Sequence, residues 1–507
     1  MSGGLLVLPV LAPLAAAGLL VLLGRRGAGT RLPRLVAWLV GAGVLVFAGV
    51  LLAHTLAGEL PTVRLGGWPS GIAITLVADV FSALLLAVTA LLVVVSLVFA
   101  AATGEDEDPF FLPLVLVLAA GVNGALLTSD LFNLFVFVEI MLLPSYVLLT
   151  AAGGGQRLAA GRLYVTVNLL ASTVLLAGIG LLYGVTGTVG LGELAGVGSA
   201  DPAAGVAGAV VLLALAVKAA VVPLHSWLPS TYSFTGPAVT VLFSGLLTKV
   251  GVYALIRIYA VVYEGDRRFL WLIMTAALVT MVVGVLGAVG EKAMRPVLTF
   301  HMVSQVGYML LGLALFTAAG LAAAIFFLVQ YVLVKAALLM CAGAVIVGHG
   351  TDDLDRLGGL MRREPALAVA FAISALALVG IPPLSGFVAK LGLATAAVAQ
   401  NQYLAAALVV VVSLLTLTSM LKLWNAVFSG PTPDDDGAPA EDTPGAPTRT
   451  ATPPRARLRP ALTAPALVLA GLAVALGVWA EPLLAASAEA ADGLVDTGAY
   501  VRAVSGP

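Results

Sequence analysis

Apolar runs long enough to cross a bilayer recur along the whole chain, divided by short polar or Gly/Pro-rich stretches. About 20 apolar residues span the hydrocarbon core. On that measure the pattern predicts 14 membrane helices, at approximately 4–24, 34–57, 76–102, 110–128, 131–152, 162–185, 203–223, 237–262, 269–289, 295–317, 319–347, 366–396, 402–428 and 461–482. Three are irregular: 203–223 runs into VPLHSWLPS, 319–347 is long with a lysine in mid-span, and 366–396 is interrupted by IPPLSG. Proline and glycine at membrane depth predict broken helices, whose freed backbone groups must line an enclosed or wet cavity. The first run, 5–23, has no basic residues ahead of it and no clear small-residue cleavage site. It is expected to be a span rather than a signal peptide. Between 429 and 459 the pattern turns polar and Pro-rich, as in a disordered linker that ties the final helix and tail, 461–507, to the rest.

Composition agrees with an all-α polytopic membrane protein. Of 507 residues, 61% are hydrophobic and 10% charged, and mean hydropathy is +1.10. The net charge of -1, with no basic tract and no phosphate-binding glycine loop, gives no reason to expect nucleic acid. Cys341 is the only cysteine, so neither a disulfide within the chain nor a cysteine-ligated cluster can form. The four histidines, His54, His225, His301 and His349, lack metal-ligand spacing, and no metal or cofactor is expected.

The placement of the basic residues sets an orientation. One side receives Arg25, Arg26, Arg31, Arg34, Arg157, Arg162, Lys292, Arg295, Arg356, Arg362, Arg363, Arg449, Arg455, Arg457 and Arg459. The other receives Arg64, Arg257, Arg267, Arg268 and Arg502. This bias of roughly three to one marks the first side as cytoplasmic and places both termini outside.

Five of the six lysines lie inside apolar runs: Lys218, Lys249, Lys335, Lys390 and Lys422. An ammonium at the bilayer centre costs about 2.5–3.5 kcal/mol on insertion scales. Burial also eases deprotonation of an amine, so such groups can take and release protons. Glu139, in LFNLFVFVEIMLLPSYVLL, has no charged neighbour nearer than Asp130 and needs a cationic partner, for which Lys218 is the candidate. A structural ion pair locking two helices is the competing reading. Lys390 follows the PPLSG break, and snorkelling is its alternative. For Lys422, snorkelling or a structural role competes equally. His301, with Ser304, Gln305 and Tyr308, forms a polar stripe at helical spacing that suits a proton relay, against a packing histidine as the alternative. His225, in PLHSWLP, reads as a gate or a loop cap. Asp79 starts the third span, and GEDED at 104–108 reads as a solvated loop.

These residues carry a resemblance. The stretch VVPLHSWLPSTYSFTGPAVTVLFSGLLTKVGVYALIRI, with its PLHSWLP loop, following GP and K-x-G-x-Y-x-L-x-R run, together with LSGFVAK, resembles the proton-translocating, antiporter-like membrane subunits. That family includes three large subunits of respiratory complex I, hydrogenase-linked relatives and the large subunits of Mrp-type Na+/H+ antiporters. FNLFVFVEIMLLPSYVLL is most similar to the D-type branch of the Mrp antiporters. The resemblance spans roughly 110–425. It implies two inverted five-helix repeats, 110–262 and 269–428, after an N-terminal three-helix segment, 1–109. It places the family glutamate at Glu139, the broken-helix lysine at Lys218, the eighth-helix lysine at Lys249, the central lysine at Lys335 and the terminal lysine at Lys390. One complex I relative carries glutamate at that last position. Where many relatives have a histidine four residues before the central lysine, this chain has Tyr331, which can hydrogen-bond a water chain but hardly stores a proton.

The expected function is movement of H+ along Glu139 and Lys218, then Lys249, then Lys335 with His301 nearby, then Lys390. Accessory roles are open to His225, Ser304, Tyr331 and Lys422. The resemblance implies exchange of H+ for Na+, other Mrp antiporter subunits as partners, and a bacterial plasma membrane. The rivals are a proton-pumping arm of a quinone- or hydrogenase-linked oxidoreductase, and a scaffold whose charges are structural.

Overall fold

A computed structural model of the chain describes residues 3–24, 31–69, 71–151, 153–431 and 458–506. The helices in chain order are α1 (Leu8–Gly24), α2 (Arg31–Leu56), α3 (Val80–Thr103), α4 (Phe111–Leu127), α5 (Leu131–Thr150), α6 (Gly155–Thr186), α7 (Val197–Ala200) and α8 (Pro202–Lys218). Then come α9 (Trp227–Tyr232), α10 (Pro237–Val262), α11 (Leu270–Gly290), α12 (Met294–Leu315), α13 (Ala318–His349), α14 (Leu360–Arg363), α15 (Pro365–Val379) and α16 (Ser385–Ala399). The last are α17 (Tyr403–Trp424), α18 (Pro460–Val478), α19 (Glu481–Val495) and α20 (Gly498–Ser505). Two three-residue strands, β1 (Thr62–Arg64) and β2 (Thr75–Val77), pair antiparallel in the loop before α3.

Eleven helices among the described residues are long and apolar enough to cross a membrane. Of the four shorter apolar helices, α4 and α8 each fill one more crossing, and α15 with α16 fill another as an interrupted pair. The fourteen crossings fall where the hydrophobic pattern puts them. The first break begins earlier than the prolines suggest: α8 stops at Lys218, and helix resumes only at Trp227. The second break, Gly380–Leu384, lies at the PPLSG motif.

Two helices form the centre. Every residue of α10 from Ala238 to Val262 is buried, as is nearly all of α13 from Gly320 to Val345. By contrast α1, α2, α6, α11 and α17 expose leucines and valines along one face, as helices against lipid or neighbouring subunits do.

Several sequence expectations need correction. The GEDED run is a solvated loop only in part: Glu107 and Asp108 are exposed, but the other two acids are structural. Asp106 is buried and takes a bidentate pair from Arg34 at 2.5 and 2.7 Å. Glu105 accepts from the amides of Ala238 and Val239 at 2.8 and 3.4 Å, satisfying donors at the N-terminus of α10. Burial pushes its carboxyl up in pKa, and those amides oppose the shift. Arg257, inside the predicted 237–262 helix, is buried in α10 rather than at the outer surface, paired with Asp79 at 2.6 and 2.7 Å, while Asp79 caps α3. Helix continues beyond the last predicted run, which ended at 482, through α19 and α20. Most of the linker expected at 429–459 lies outside the described residues. At the end of that stretch, the amide of Leu458 donates to Glu364 at 2.8 Å.

Candidate proton path

The site begins on three helices. Ser172, on α6, is hydrogen-bonded at short range to Glu139 Oε1 on α5. Lys218 Nζ, at the last residue of α8, donates to the same hydroxyl at 2.8 Å. The expected Glu139–Lys218 pair is therefore bridged by a serine rather than direct. Lys218 and Ser172 are buried, while Glu139 is half-buried at the edge of the chain. Because α8 ends at Lys218, the amine belongs to a helix C-terminus, whose dipole favours a cation, while the carbonyls of Ala216 and Val217 are taken by the amides of Val221 and Ala220 and by the Trp227 indole. The next residue, Ala219, lies against α10: a Cβ on Gly251 would come within 3.0 Å of its amide nitrogen. That close approach brings the break beside the helix that carries Lys249.

Lys249 donates to the carbonyl of Ser244 at 2.6 Å and to Thr248 Oγ1 at 3.0 Å, and its Nζ lies 4.6 Å from the centroid of the Tyr331 ring. A cation over an aromatic face is stabilised by the ring quadrupole. Tyr331 and Lys335 are one turn apart on α13, so they share a face. Lys249 thereby packs over the face of α13 that carries Lys335. The hydroxyl of Tyr331 is buried and has no partner among the described residues.

Lys335 is fully enclosed and donates to the carbonyl of Leu298 on α12. His301, one turn further along α12, joins its Nε2 to Ser419 Oγ at 2.6 Å. Its Nδ1 has no partner among the described residues. The α12 stripe continues through Gln305, buried with neither amide atom paired among the described residues, to Tyr308. Ser304 leaves the stripe: its hydroxyl turns to the carbonyl of Met281 on α11, at 2.9 Å.

Lys390 ends the row. Its Nζ donates to the carbonyls of Leu378 and Val379 at 3.0 and 2.9 Å and lies 4.7 Å from the centroid of the Tyr308 ring. Those carbonyls are the free C-terminal end of α15, exposed by the break. A Cβ on Gly386 would overlap the carbonyl oxygen of Ala377, so α16 can start this close to α15 only with glycine there. This contact excludes simple snorkelling for Lys390.

The accessory candidates separate. Lys422 is half-buried and donates to the carbonyls of Val289 and Glu291, so it caps the C-terminus of α11. His225 sits in the first break with Nδ1 unpaired among the described residues.

Residues 128–416 match the transmembrane family described as NADH:quinone oxidoreductase/Mrp antiporter. The chain is 36% identical over 507 residues to the D subunit of the Na+/H+ antiporter of Alkalihalophilus pseudofirmus, covering 99% of both. The chain belongs to this family. It is also similar to a chain of the Mrp complex from Dietzia sp. DQ12-45-1b, at 48% identity, 99% coverage of both chains and TM-score 0.94. Its likeness to a chain of respiratory complex I from Thermus thermophilus is more distant, at 25% identity, 97% and 99% coverage and TM-score 0.80.

Within the matched region the family motifs supply the charged side chains, but sequence reasoning missed their partners. Ser172 lies in an ordinary hydroxyl-bearing apolar helix and gives no local signal. Ser419 and the carbonyls of Leu298, Leu378 and Val379 are brought in by packing alone. Arg257 was within sight, as the last residue of the K-x-G-x-Y-x-L-x-R run inside the predicted 237–262 helix, but nothing local in the sequence signals its pairing with Asp79.

Proposed function

We propose that this chain is the D-type, proton-translocating subunit of a multi-subunit Na+/H+ antiporter in a bacterial plasma membrane, with both termini outside. Two inverted five-helix repeats, 110–262 and 269–428, each contribute a broken helix. The proton path runs Glu139–Ser172–Lys218, Lys249, Lys335 with His301, then Lys390. The observation that supports it most is the set of four buried amines: each ends on a hydroxyl, a carbonyl or an aromatic face, and none is paired with a carboxylate among the described residues.

A row of like charges cannot all be protonated together in a low-dielectric interior, because each ammonium disfavours its neighbour. Glu139, when ionised, holds a proton on Lys218 through Ser172. When it is neutralised, that hold is released and the load on Lys249 and Lys335 redistributes. His301 has one nitrogen engaged by Ser419 and the other open, so it can pass a proton between Lys335 and the Gln305–Tyr308 stripe toward Lys390. Identity to the antiporter relatives well above that to complex I favours antiport over an oxidoreductase arm.

In proteoliposomes holding the complete assembly, Na+ should collapse an imposed pH gradient, and the same assembly lacking this chain should not. Equal rates with and without it would remove the chain from the path. In whole cells, an impermeant thiol reagent should label Ser505→Cys from outside; labelling only after permeabilisation would reverse the orientation. The native Cys341 is buried and will not compete.

A further inference from the structure

A third break in a membrane helix lies on the outside of the molecule. Both α18 and α19 pack along α13. Leu458, just ahead of α18, lies against Gly348 near one end of α13. At the far end of the pair, Glu489 and Asp492 of α19 line a cleft with Asp79, the cap of α3. Together α18 and α19 thus make one crossing, interrupted at Trp479 and Ala480.

The depth of the interruption follows from its neighbours. A Cβ on Gly477 would lie 2.6 Å from the amide nitrogen of Ser385 and closer still to the carbonyl oxygen of Pro383, so α18 ends flush against the break between α15 and α16. Ser385 donates to Gln330 at 3.4 Å. Gln330 adjoins Tyr331, whose ring carries Lys249, and Lys249 is at the middle of the 26-residue α10. The α18–α19 break is therefore at the level of the buried lysines, in mid-bilayer.

At this level the surface shows Val478 and Trp479, 69% and 73% exposed, followed by the exposed Glu481 and Pro482. Glu481 has no hydrogen bond or ion pair among the described residues. Irregular backbone and an unpaired carboxylate are not tolerated against hydrocarbon; they occur where protein or a water-filled cavity covers them. The same exposed face of α19 continues outward through Glu489 and Asp492.

We propose that the α18–α19 break is a docking site for a membrane helix of a different subunit of the assembly. That helix covers Trp479 with an apolar notch and sets a lysine or arginine against Glu481. An aromatic anchor beside a desolvated charge pair is the composition of an interface hot spot. The proposal rests on the multi-subunit reading above, and the charge complementarity sets the partner's chemistry.

The test uses the whole co-expressed complex, with a benzophenone amino acid in place of Trp479. Illumination should join this chain to a different, co-purifying subunit. Separately, Glu481→Lys should lower recovery of the other subunits on the tagged chain by about tenfold or more, as loss of a hot-spot residue does. The amount of this chain in membranes should stay unchanged. An adduct only to lipid, an adduct to a second copy of this chain, or no adduct in an intact complex would overturn the proposal. So would undiminished recovery with Glu481→Lys. The cross-link is read in an otherwise unaltered chain, so it still decides if Glu481→Lys fails to insert. A chain that transports when purified free of other subunits would defeat the assembly reading instead.

Discussion

Glu139→Gln, made in the assembled complex, should lower Na+-driven H+ movement about 100-fold or more, the scale on which a positioned proton-transfer group acts. The amide keeps the shape of the carboxylate and can still meet the Ser172 hydroxyl, so α5, α6 and α8 should remain packed. What it loses is the charge that holds a proton on Lys218. Glu139→Ala should be equally inactive. Ser172→Ala leaves both charges but removes their bridge, and should fall between the wild type and Glu139→Gln. The rival reading is that the trio only locks helices together. On that reading Glu139→Gln, which keeps a hydrogen bond to Ser172, transports at close to the normal rate.

The second large effect is expected at the other end of the row. Lys390→Ala should likewise reduce transport about 100-fold or more, while Lys390→Glu should retain part of it. The position needs a group that titrates, and a carboxyl does so. The substitution is not innocent, however. Lys390 Nζ rests on the free carbonyls of Leu378 and Val379, and a carboxylate there would face the negative end of α15. Partial activity is expected because the protonated carboxyl can still donate to those carbonyls. If Lys390→Ala exchanged ions normally, the path would leave the chain elsewhere.

The contrast between Lys390 and Lys422 shows what could be read from the chain before its structure. Hydrophobic periodicity located the fourteen crossings because about 20 apolar residues in a row have few alternatives in a polytopic protein. It could not distinguish two lysines in equally apolar runs. The difference lies in where each amine ends: Lys390 is enclosed at the second break, and Lys422 closes off the C-terminus of a different helix, α11. The break itself is legible from PPLSG, yet the carbonyls it frees have no sequence signature.

The same holds for Glu139. An isolated carboxylate in an apolar helix announces that it needs a partner, but not that a serine 33 residues away will stand between it and Lys218. Asp106 and Glu105 misled in the opposite direction. A run of acidic residues between spans resembles a solvated loop, and only tertiary packing against Arg34 and the start of α10 makes it structural. The α18–α19 break was hidden for a related reason. The WAEP stretch looks like the polar end of a span, and its depth is fixed only by contact of Gly477 with a segment nearly a hundred residues earlier.

Lys335 offers the most direct measurement, because it is fully enclosed and, on the proposed path, stands between Lys249 and His301. Lys335→Met keeps much of the volume and the packing of α13 but cannot carry a proton. Complete complexes bearing it should be reconstituted and the rate of Na+-induced pH-gradient collapse compared with the wild type. A loss of about 100-fold or more with the complex intact on native gels is the expected result. Collapse at the wild-type rate from intact complexes would mean that protons do not travel through the buried lysines.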